Sequence, residues 1–498
     1  MNQKYILSID QGTTGTTVSL FDRSGQRVCE ANEDFKQIFP KPGWVEHDPE
    51  DIWNSVRSTI KLALQKIQAK PEDVAAIGIT NQRETVMVWD RATGKPIYNA
   101  IVWQCRRTSD FCEKLKKKKL EKVIKEKTGL VIDPYFSASK IRWILDHVSG
   151  SMKRAKSGEL ACGTVDTFLL WRLTGGKSHA TDVSNASRTQ LMNIKTGKWD
   201  AELLKIFGVP EELLPEIRPS SGVFGVTKGM SELVDRTPIA GIAGDQQAAL
   251  FGQNCFKVGE AKCTYGTGSF LLVNSGTKCL KAKSGALTTI AWQLSEKSPI
   301  VYALEGSAFV SGAAVQWLRD GLEFIQSSQD IEGLAKLVQD SDGVEFVPAL
   351  TGLGAPHWDP EARGLICGLT RGTTKAHLAR ATLEGIALQN SDLLMAMSKD
   401  LGKKISSLRV DGGASANNLL MQIQSDYLNL TLVRPEMVET TSAGAAYLAG
   451  LGVGIWKNLT EITKVWKIDR NFKPAMTTKD RTLRLARWKK AIERTMMK

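Results

Sequence analysis

The residues best suited to chemistry lie in three turns. In the segment 5–22 (YILSIDQGTTGTTVSLFD) an apolar run ends in Asp10, a turn of Gly12, Thr13, Thr14 and Gly15 follows, and a second apolar run begins. This is the pattern of a β-hairpin with a polar tip. Glycine lets a backbone close around an anion, successive amides make a nest for phosphate, and threonine hydroxyls add donors. An aspartate at the base of such a turn can hold hydrated Mg²⁺ between itself and the phosphates. An ordinary hairpin carries the same local pattern, so this segment alone leaves both readings open. Residues 260–273 (EAKCTYGTGSFLLV) repeat strand, Gly/Thr turn and strand. Residues 408–418 (LRVDGGASANN) run from a strand through Asp-Gly-Gly into a helix expected to begin near Asn417. A helix N-terminus there favours an anion. Three such turns split across both halves point to a nucleotide's phosphates. None matches GxxxxGK[ST] or GxGxxG, which argues against a P-loop or a dinucleotide fold.

The elements that must position these turns alternate between strand-like and helical patterns, as in α/β layers. Ile52, Val56, Ile60, Leu64 and Ile67 predict a helix over 51–68. Residues 78–80 and 86–89 read as sheet, and the loop 40–49 is dense in turn residues. A chain of 498 residues is too long for one core. The recurrence of the phosphate turn suggests two similarly built domains, 1–252 and 253–498, joined by structured segments that can hinge.

Composition narrows the class. Hydrophobic residues at 42% and charged residues at 24% are ordinary for a globular protein. Eight single cysteines without a CxxC pair argue against a disulfide framework or structural zinc. The sequence enters a strand with no signal-like segment, and the apolar stretch 444–456 is too short and glycine-broken to span a membrane. A cytoplasmic protein is expected. The net charge of +13 concentrates at 114–127 (KLKKKKLEKVIKEK), which carries no aromatic residue. It reads as a solvated helix face with Leu115, Leu120, Val123 and Ile124 turned inward, so no nucleic-acid partner is expected.

The three turns, in that order, resemble the phosphate and adenosine motifs of the actin, Hsp70 and sugar-kinase (ribonuclease H-like) ATPase fold, in which two α/β domains flank a cleft. Within that fold the chain resembles the FGGY carbohydrate kinases. The matching segments are 77–85 (IGITNQRET), 99–107 (NAIVWQCRR), 133–137 (DPYFS), 241–247 (GIAGDQQ) and 352–356 (GLGAP). The NQRET segment is that of the family's glycerol-phosphorylating branch, where pentulose and hexulose kinases usually carry a GQMHG-like segment. The resemblance implies an ATP:glycerol 3-phosphotransferase. Arg83, Glu84, Tyr135, Asp245 and Gln246 would contact the hydroxyls, with Trp103 and Phe270 as walls. Asp245 would be the general base, and Asp10 would hold Mg²⁺ through water. Thr13, Thr14, Gly15, Thr17, Thr267, Gly268, Gly312, Gln316, Gly413 and Asn417 would line the ATP/ADP site, with Gln316 on a helix over 308–319. A homo-oligomer, dimer or tetramer, is also implied. Taken singly, Arg83 and Glu84 read rather as a surface ion pair, Trp103 and Phe270 as core, and Asp245 as a helix cap; taken jointly, inside the matched segments, they read as the site. A kinase for another polyol or ketose, such as erythritol or xylulose, and a non-enzymatic hinge ATPase remain alternatives.

Two departures from the family pattern stand out. Thr17 occupies a place where the family usually has arginine, which leaves Lys4 or another basic residue to supply the charge. The segment 229–236 (GMSELVDR) keeps the Arg236 that in some bacterial relatives helps bind fructose 1,6-bisphosphate, but lacks the glycines that precede it there. Glu232 and Asp235 are expected to repel such a ligand, and the loop has no histidine to be phosphorylated.

Overall fold

The computed structural model describes residues 4–359 and 361–496, so the outermost residues of both expected domains lie outside the described residues. The first sheet starts with β1 (Tyr5–Gln11), β2 (Gly15–Asp22) and β3 (Arg27–Asp34). Ile6, Leu7, Ile9, Val18, Leu20 and Phe21 are fully buried, which fixes the antiparallel register of β1 and β2 and sets Asp10 opposite Thr17. Helix α1 (Pro49–Lys66) begins two residues before the expected start because Asp48 caps it, accepting from the Glu50 amide at 2.9 Å, and proline opens its first turn. Strands β4 (Val74–Asn81), β5 (Ser221–Val226) and β6 (Pro238–Gly244) complete the order β5-β6-β4-β1-β2-β3, and α2 (Asp245–Gly252) follows. The expected strand at 86–89 forms as Val86–Asp90, but in a separate four-stranded sheet.

The second half repeats this plan. Strands β7 (Glu260–Tyr265), β8 (Ser269–Gly276), β9 (Leu287–Trp292) and β10 (Val301–Ala308) precede helices α3 (Gly312–Asp320) and α4 (Lys375–Leu401). Then come β11 (Ser407–Asp411), α5 (Asn418–Leu428), β12 (Leu432–Pro435), α6 (Thr440–Gly452) and β13 (Ile468–Phe472). The order is β9-β10-β8-β7-β11-β12-β13. The run β3-β2-β1-β4-β6 and the run β10-β8-β7-β11-β12 share one topology, antiparallel on the hairpin side and parallel beyond the first strand. Short connections join the hairpins β1–β2, β2–β3 and β7–β8, whereas α1, α4 and α5 lie in the crossovers that lead into β4, β11 and β12.

Helix α6 crosses to the first sheet. Ser8 Oγ donates to the Ser442 carbonyl at 2.7 Å, and Ser221 Oγ to the Leu448 carbonyl at 2.8 Å. It also packs on α2 so closely that a Cβ at Gly444 would lie 1.9 Å from the Ala248 carbonyl oxygen. Gly450 and Gly452 are similarly close to Trp456 and to the Ala240 carbonyl oxygen, respectively, so three glycines of the 444–456 stretch serve close packing, and no helix among the described residues is long and apolar enough to cross a membrane. The lysine-rich run differs from the single expected helix. It forms Ser109–Lys117 and Glu121–Thr128, separated by a turn in which Lys119 has φ of +59°. Leu115 and Ile124 are buried, Leu120 and Val123 half-buried.

Candidate functional site

The segment after β4 turns sharply, with Glu84 at φ of +61°, and sends Arg83 and Glu84 into the protein. Arg83 Nε lies 3.0 Å from Asp245 Oδ1, and its Nη1 and Nη2 donate to Glu305 Oε2 and Oε1 at 2.7 and 2.9 Å. Arg188 Nε donates to Glu84 Oε1 at 2.6 Å, and its Nη2 to Glu305 Oε1 at 3.1 Å. Side-chain exposure is 2% for Arg83, 1% for Glu84, 0% for Arg188 and 6% for Glu305, against 31% for Asp245. Asp245 is thus the carboxylate of this group that a solute can reach. Arg83 and Glu84 are not a surface pair. Asp245 is not the helix cap either, since Gly244 holds that place and Asp245 is the first residue of α2.

The charges here are set by competition between burial and partners. Burial disfavours the Arg83 cation, yet Glu305, Glu84 and Asp245 hold its pKa well above the usual value. Burial also opposes ionisation of Glu305, but Arg188 and Arg83 bring its pKa down to about 2. Burial raises Glu84 against the same two guanidiniums. The Tyr135 hydroxyl is raised by burial, so it stays protonated and able to donate.

Trp103 and Tyr135 meet edge to face with centroids 5.5 Å apart. Trp103 Nε1 donates to Thr13 Oγ1 at 3.0 Å, which ties this aromatic wall to the first phosphate turn. The loop carrying Tyr135 is held by buried Lys140, whose Nζ donates to the carbonyls of Pro134 and Phe136 at 3.0 Å each. Gln246 accepts from Lys262 Nζ, which also donates to Thr264 Oγ1 at 2.8 Å. Phe270 is half-buried on β8 opposite Thr264.

The first phosphate turn is braced from several sides. The Gly12 amide donates to the Gly15 carbonyl at 2.9 Å, and Gln82 Nε2 donates to the Gly12 carbonyl at 2.9 Å. Gln37 Nε2 donates to the Thr13 carbonyl at 3.1 Å and is itself held by His47 at 2.7 Å. Burial lowers His47 to about 4, so the ring is neutral. In the second turn the amides of Ser311, Gly312 and Ala313 donate to the Thr267 and Gly266 carbonyls at 2.8–3.1 Å, seating the start of α3 on the turn. A Cβ at Gly312 would meet the Gly266 carbonyl oxygen at 2.7 Å, and one at Gly268 that of Ala308 at 2.6 Å. Gln316 is on α3 as expected, but the helix starts at Gly312. Ala308 instead closes β10, paired with Ser269. In the third turn Gly412 has φ of +82°, next to Gly413, and Asn417 caps α5 by accepting from the Leu420 amide at 2.9 Å. The hairpin registers Asp10↔Thr17 and Tyr265↔Ser269 place the first two turns after equivalent strands of the two sheets, and Thr264↔Asp411 sets the third after the parallel neighbour of β7.

Burial raises Asp10 well above the usual carboxylate range, and the negative charges of Asp245, Glu439 and Glu30 push it the same way. A divalent cation beside Asp10 would relieve that repulsion. Among the described residues no group of three or more His, Cys, Asp or Glu could hold a metal directly. Asp10 thus offers one carboxylate beside the first turn, which would suit a cation carried on phosphates. Lys4 does not replace the missing arginine. It stands before the opposite end of β1 and pairs with Asp73 at 3.3 Å, while Thr17 Oγ1 accepts from Asn32 at 3.0 Å.

In the loop 229–236 both acidic side chains have partners. Glu232 turns inward to Arg57 at 2.8 Å, and Asp235 accepts from the Gly229 amide at 2.7 Å, so both carboxylates are engaged within the chain. Asp235 itself lines, with Lys177, Arg218, Lys228 and Arg236, a cavity of about 390 Å³.

Sequence reasoning missed Glu305, Arg188, Lys262, Gln82 and the Gln37–His47 brace. One signal was available. Glu305 interrupts the otherwise uncharged strand VYALEGSA, where only a partnered carboxylate is tolerated.

Two α/β sheets of one topology, each ending in a phosphate turn, with a buried polar group between them, define the two-domain ATPase fold of the actin, Hsp70 and sugar-kinase class. The chain belongs to the FGGY family of carbohydrate kinases, matching its N-terminal domain over residues 5–252 and its C-terminal domain over 261–453. Glycerol kinase from Bdellovibrio bacteriovorus is 64% identical over 490 residues, 98% of this chain and 99% of that protein. Glycerol kinase from Caldanaerobacter subterraneus subsp. tengcongensis is 57% identical over 493 residues, 99% of each chain. Plasmodium falciparum glycerol kinase, solved with ADP, superposes with a TM-score of 0.94 at 38% identity, covering 99% of this chain and 98% of that one.

Proposed function

We propose that this protein transfers the γ-phosphoryl group of ATP to the 3-hydroxyl of glycerol, giving sn-glycerol 3-phosphate and ADP. The observation that carries this reading is the buried Arg83–Glu84–Asp245 group, whose aromatic wall is hydrogen-bonded to the first phosphate turn through Trp103 and Thr13. A short triol needs several hydroxyl partners in a small volume with apolar sides, and Arg83, Glu84, Tyr135, Asp245, Trp103 and Phe270 supply that mixture. A hinge ATPase without an acceptor has no use for such a costly buried charge group.

In the proposed reaction the glycerol oxygen forms a bond to the γ-phosphorus as the bond to the ADP oxygen breaks, and the hydroxyl proton passes to Asp245. Arg83 Nε holds one Asp245 oxygen, which orients the carboxylate. Backbone amides and hydroxyls at Thr13, Thr14 and Gly15 bind phosphates from one domain, and Thr267 and Gly268 from the other. Gly312, Gln316, Gly413 and Asn417 bound the rest of the nucleotide site. Mg²⁺, when bound with the nucleotide, would supply positive charge at the phosphate oxygens, and Asp10 would hold it through water. The division of the chain is 1–252 and 253–498, and closure of the two domains excludes water from the reacting atoms. The eight cysteines, all free in the structure, fit a reducing cytoplasm.

A panel of glycerol, erythritol, xylulose and gluconate, each with ATP and Mg²⁺, tests the reading by coupled ADP release. Glycerol is expected to give the highest kcat/KM. A ketose or gluconate above glycerol would overturn the substrate assignment, and ADP release independent of every acceptor would favour a hinge ATPase.

A further inference from the structure

We propose that Glu305 is a positioning residue for the acceptor site, holding the Arg83 fork so that only Nε faces Asp245. This rests on the glycerol kinase reading. A guanidinium presents five N–H donors in a fixed plane, and its two Nη groups make the bidentate fork that binds carboxylates most strongly. In this structure that fork is taken by Glu305, with Nη1 also donating to Gln247 Oε1 at 3.2 Å. Asp245 is met by the Nε–H side, with Nε 3.0 Å from Oδ1. The second oxygen of Asp245 is left for a substrate hydroxyl.

The hold reaches from one sheet to the other. Glu305 sits in the middle of β10, in register with Leu272 of β8 and Leu287 of β9, whereas Arg83 follows β4 of the first sheet. The two residues are 222 positions apart. Arg188 grips the same Glu305 oxygen and Glu84, so two cations and two carboxylates close a buried ring. Without the Glu305 charge, the Arg83 fork is a buried cation short of a partner. The nearest exposed carboxylate is Asp245, and a fork closed on it would cover the oxygen that receives the proton. Glu305 thus acts on the reaction through Arg83, and it links the acceptor site to the approach of the second domain.

Glu305→Gln keeps the shape and removes the charge. The full-length variant and the wild-type chain would be compared by steady-state kinetics with glycerol and MgATP, alongside thermal melting. The expected result is a fall in kcat on the order of 10- to 100-fold, at or below the low end of what general-base catalysis contributes, because the base itself is retained and only its orientation is lost. A several-fold rise in the glycerol KM should accompany it, with the ATP KM within about twofold, because none of the phosphate turns touches Glu305. A kcat and glycerol KM within twofold of wild type would overturn the proposal. So would an equal loss for both substrates, which marks a merely structural residue. If the glutamine variant does not fold, Glu305→Asp carries the same test. It retains the charge one methylene short, and the same split between kcat and ATP KM is expected in weaker form; unchanged kcat overturns the proposal. Wild-type chain that releases no ADP on adding glycerol would overturn the function itself, and that result is read first.

Discussion

Asp245→Asn separates proton acceptance from shape at the candidate base. The carboxamide is nearly isosteric and keeps an oxygen where Oδ1 now meets Arg83 Nε at 3.0 Å and the Gln246 amide at 2.6 Å. The site is little disturbed, because Arg83 retains both contacts to Glu305. Asp245 is also about a third exposed, so the lost ion pair is partly screened and worth no more than about 1 kcal/mol to stability. Loss of a general base is larger, about 10²- to 10⁴-fold in rate. That corresponds to about 3–5 kcal/mol in the barrier. We therefore expect kcat to fall at least about 100-fold, the glycerol KM to stay within several-fold, and the melting temperature to move little. The assay is coupled ADP release at saturating ATP and Mg²⁺, with glycerol affinity measured separately by calorimetry. Turnover near the wild-type rate with glycerol still bound would refute Asp245 as the base. Loss of glycerol binding in a folded variant would instead make it a substrate ligand first.

Two further outcomes are expected. Thr17→Arg puts a cation opposite Asp10, beside carboxylates whose mutual repulsion is otherwise unrelieved; the nucleotide Kd should tighten by about 1 kcal/mol, about fivefold, the scale of one charge-assisted hydrogen bond, and an unchanged Kd would mean that other groups already meet the phosphate charge. His47→Gln tests a pH dependence whose sign follows from burial. The folded pKa of about 4 lies below the ordinary value near 6.5, so between these the unfolded chain binds more protons and stability falls as pH drops. His47 should account for a loss on the order of 2 kcal/mol between pH 7 and pH 5. Denaturant titrations at those two pH values should show a smaller loss in the variant, with the His179 share, also lowered to about 4, still present; an identical loss in both proteins would sink the argument.

The three turns of the proposed nucleotide side were legible in the chain because they are local. The Asp10–Thr17 hairpin, the Gly266–Gly268 turn and the Gly412–Asn417 turn are each written in fewer than ten consecutive residues. Their glycines answer to backbone geometry and their apolar neighbours to a sheet's two-residue period. Helix ends were read within a few residues, and the misses have local causes: Asp48 capped α1 earlier, the left-handed Lys119 broke the lysine-rich run, and Ala308 stayed in a strand. The partners of the acceptor site were not legible in this way. Arg83 could be seen, but nothing near it in sequence says that Glu305 takes its fork or that Arg188 closes the ring. Ion pairing inside a protein is decided by which charges the packed sheets leave without water, and that depends on all the chain between them. The same holds for α6, whose glycines could be read as a broken apolar run but whose seat on the first sheet follows from backbone approach to α2. The sequence alone determined the three turns proposed to bind phosphates; only the tertiary structure decided which buried charges gather around Arg83, because turn chemistry acts over a few bonds and desolvated electrostatics acts across the fold.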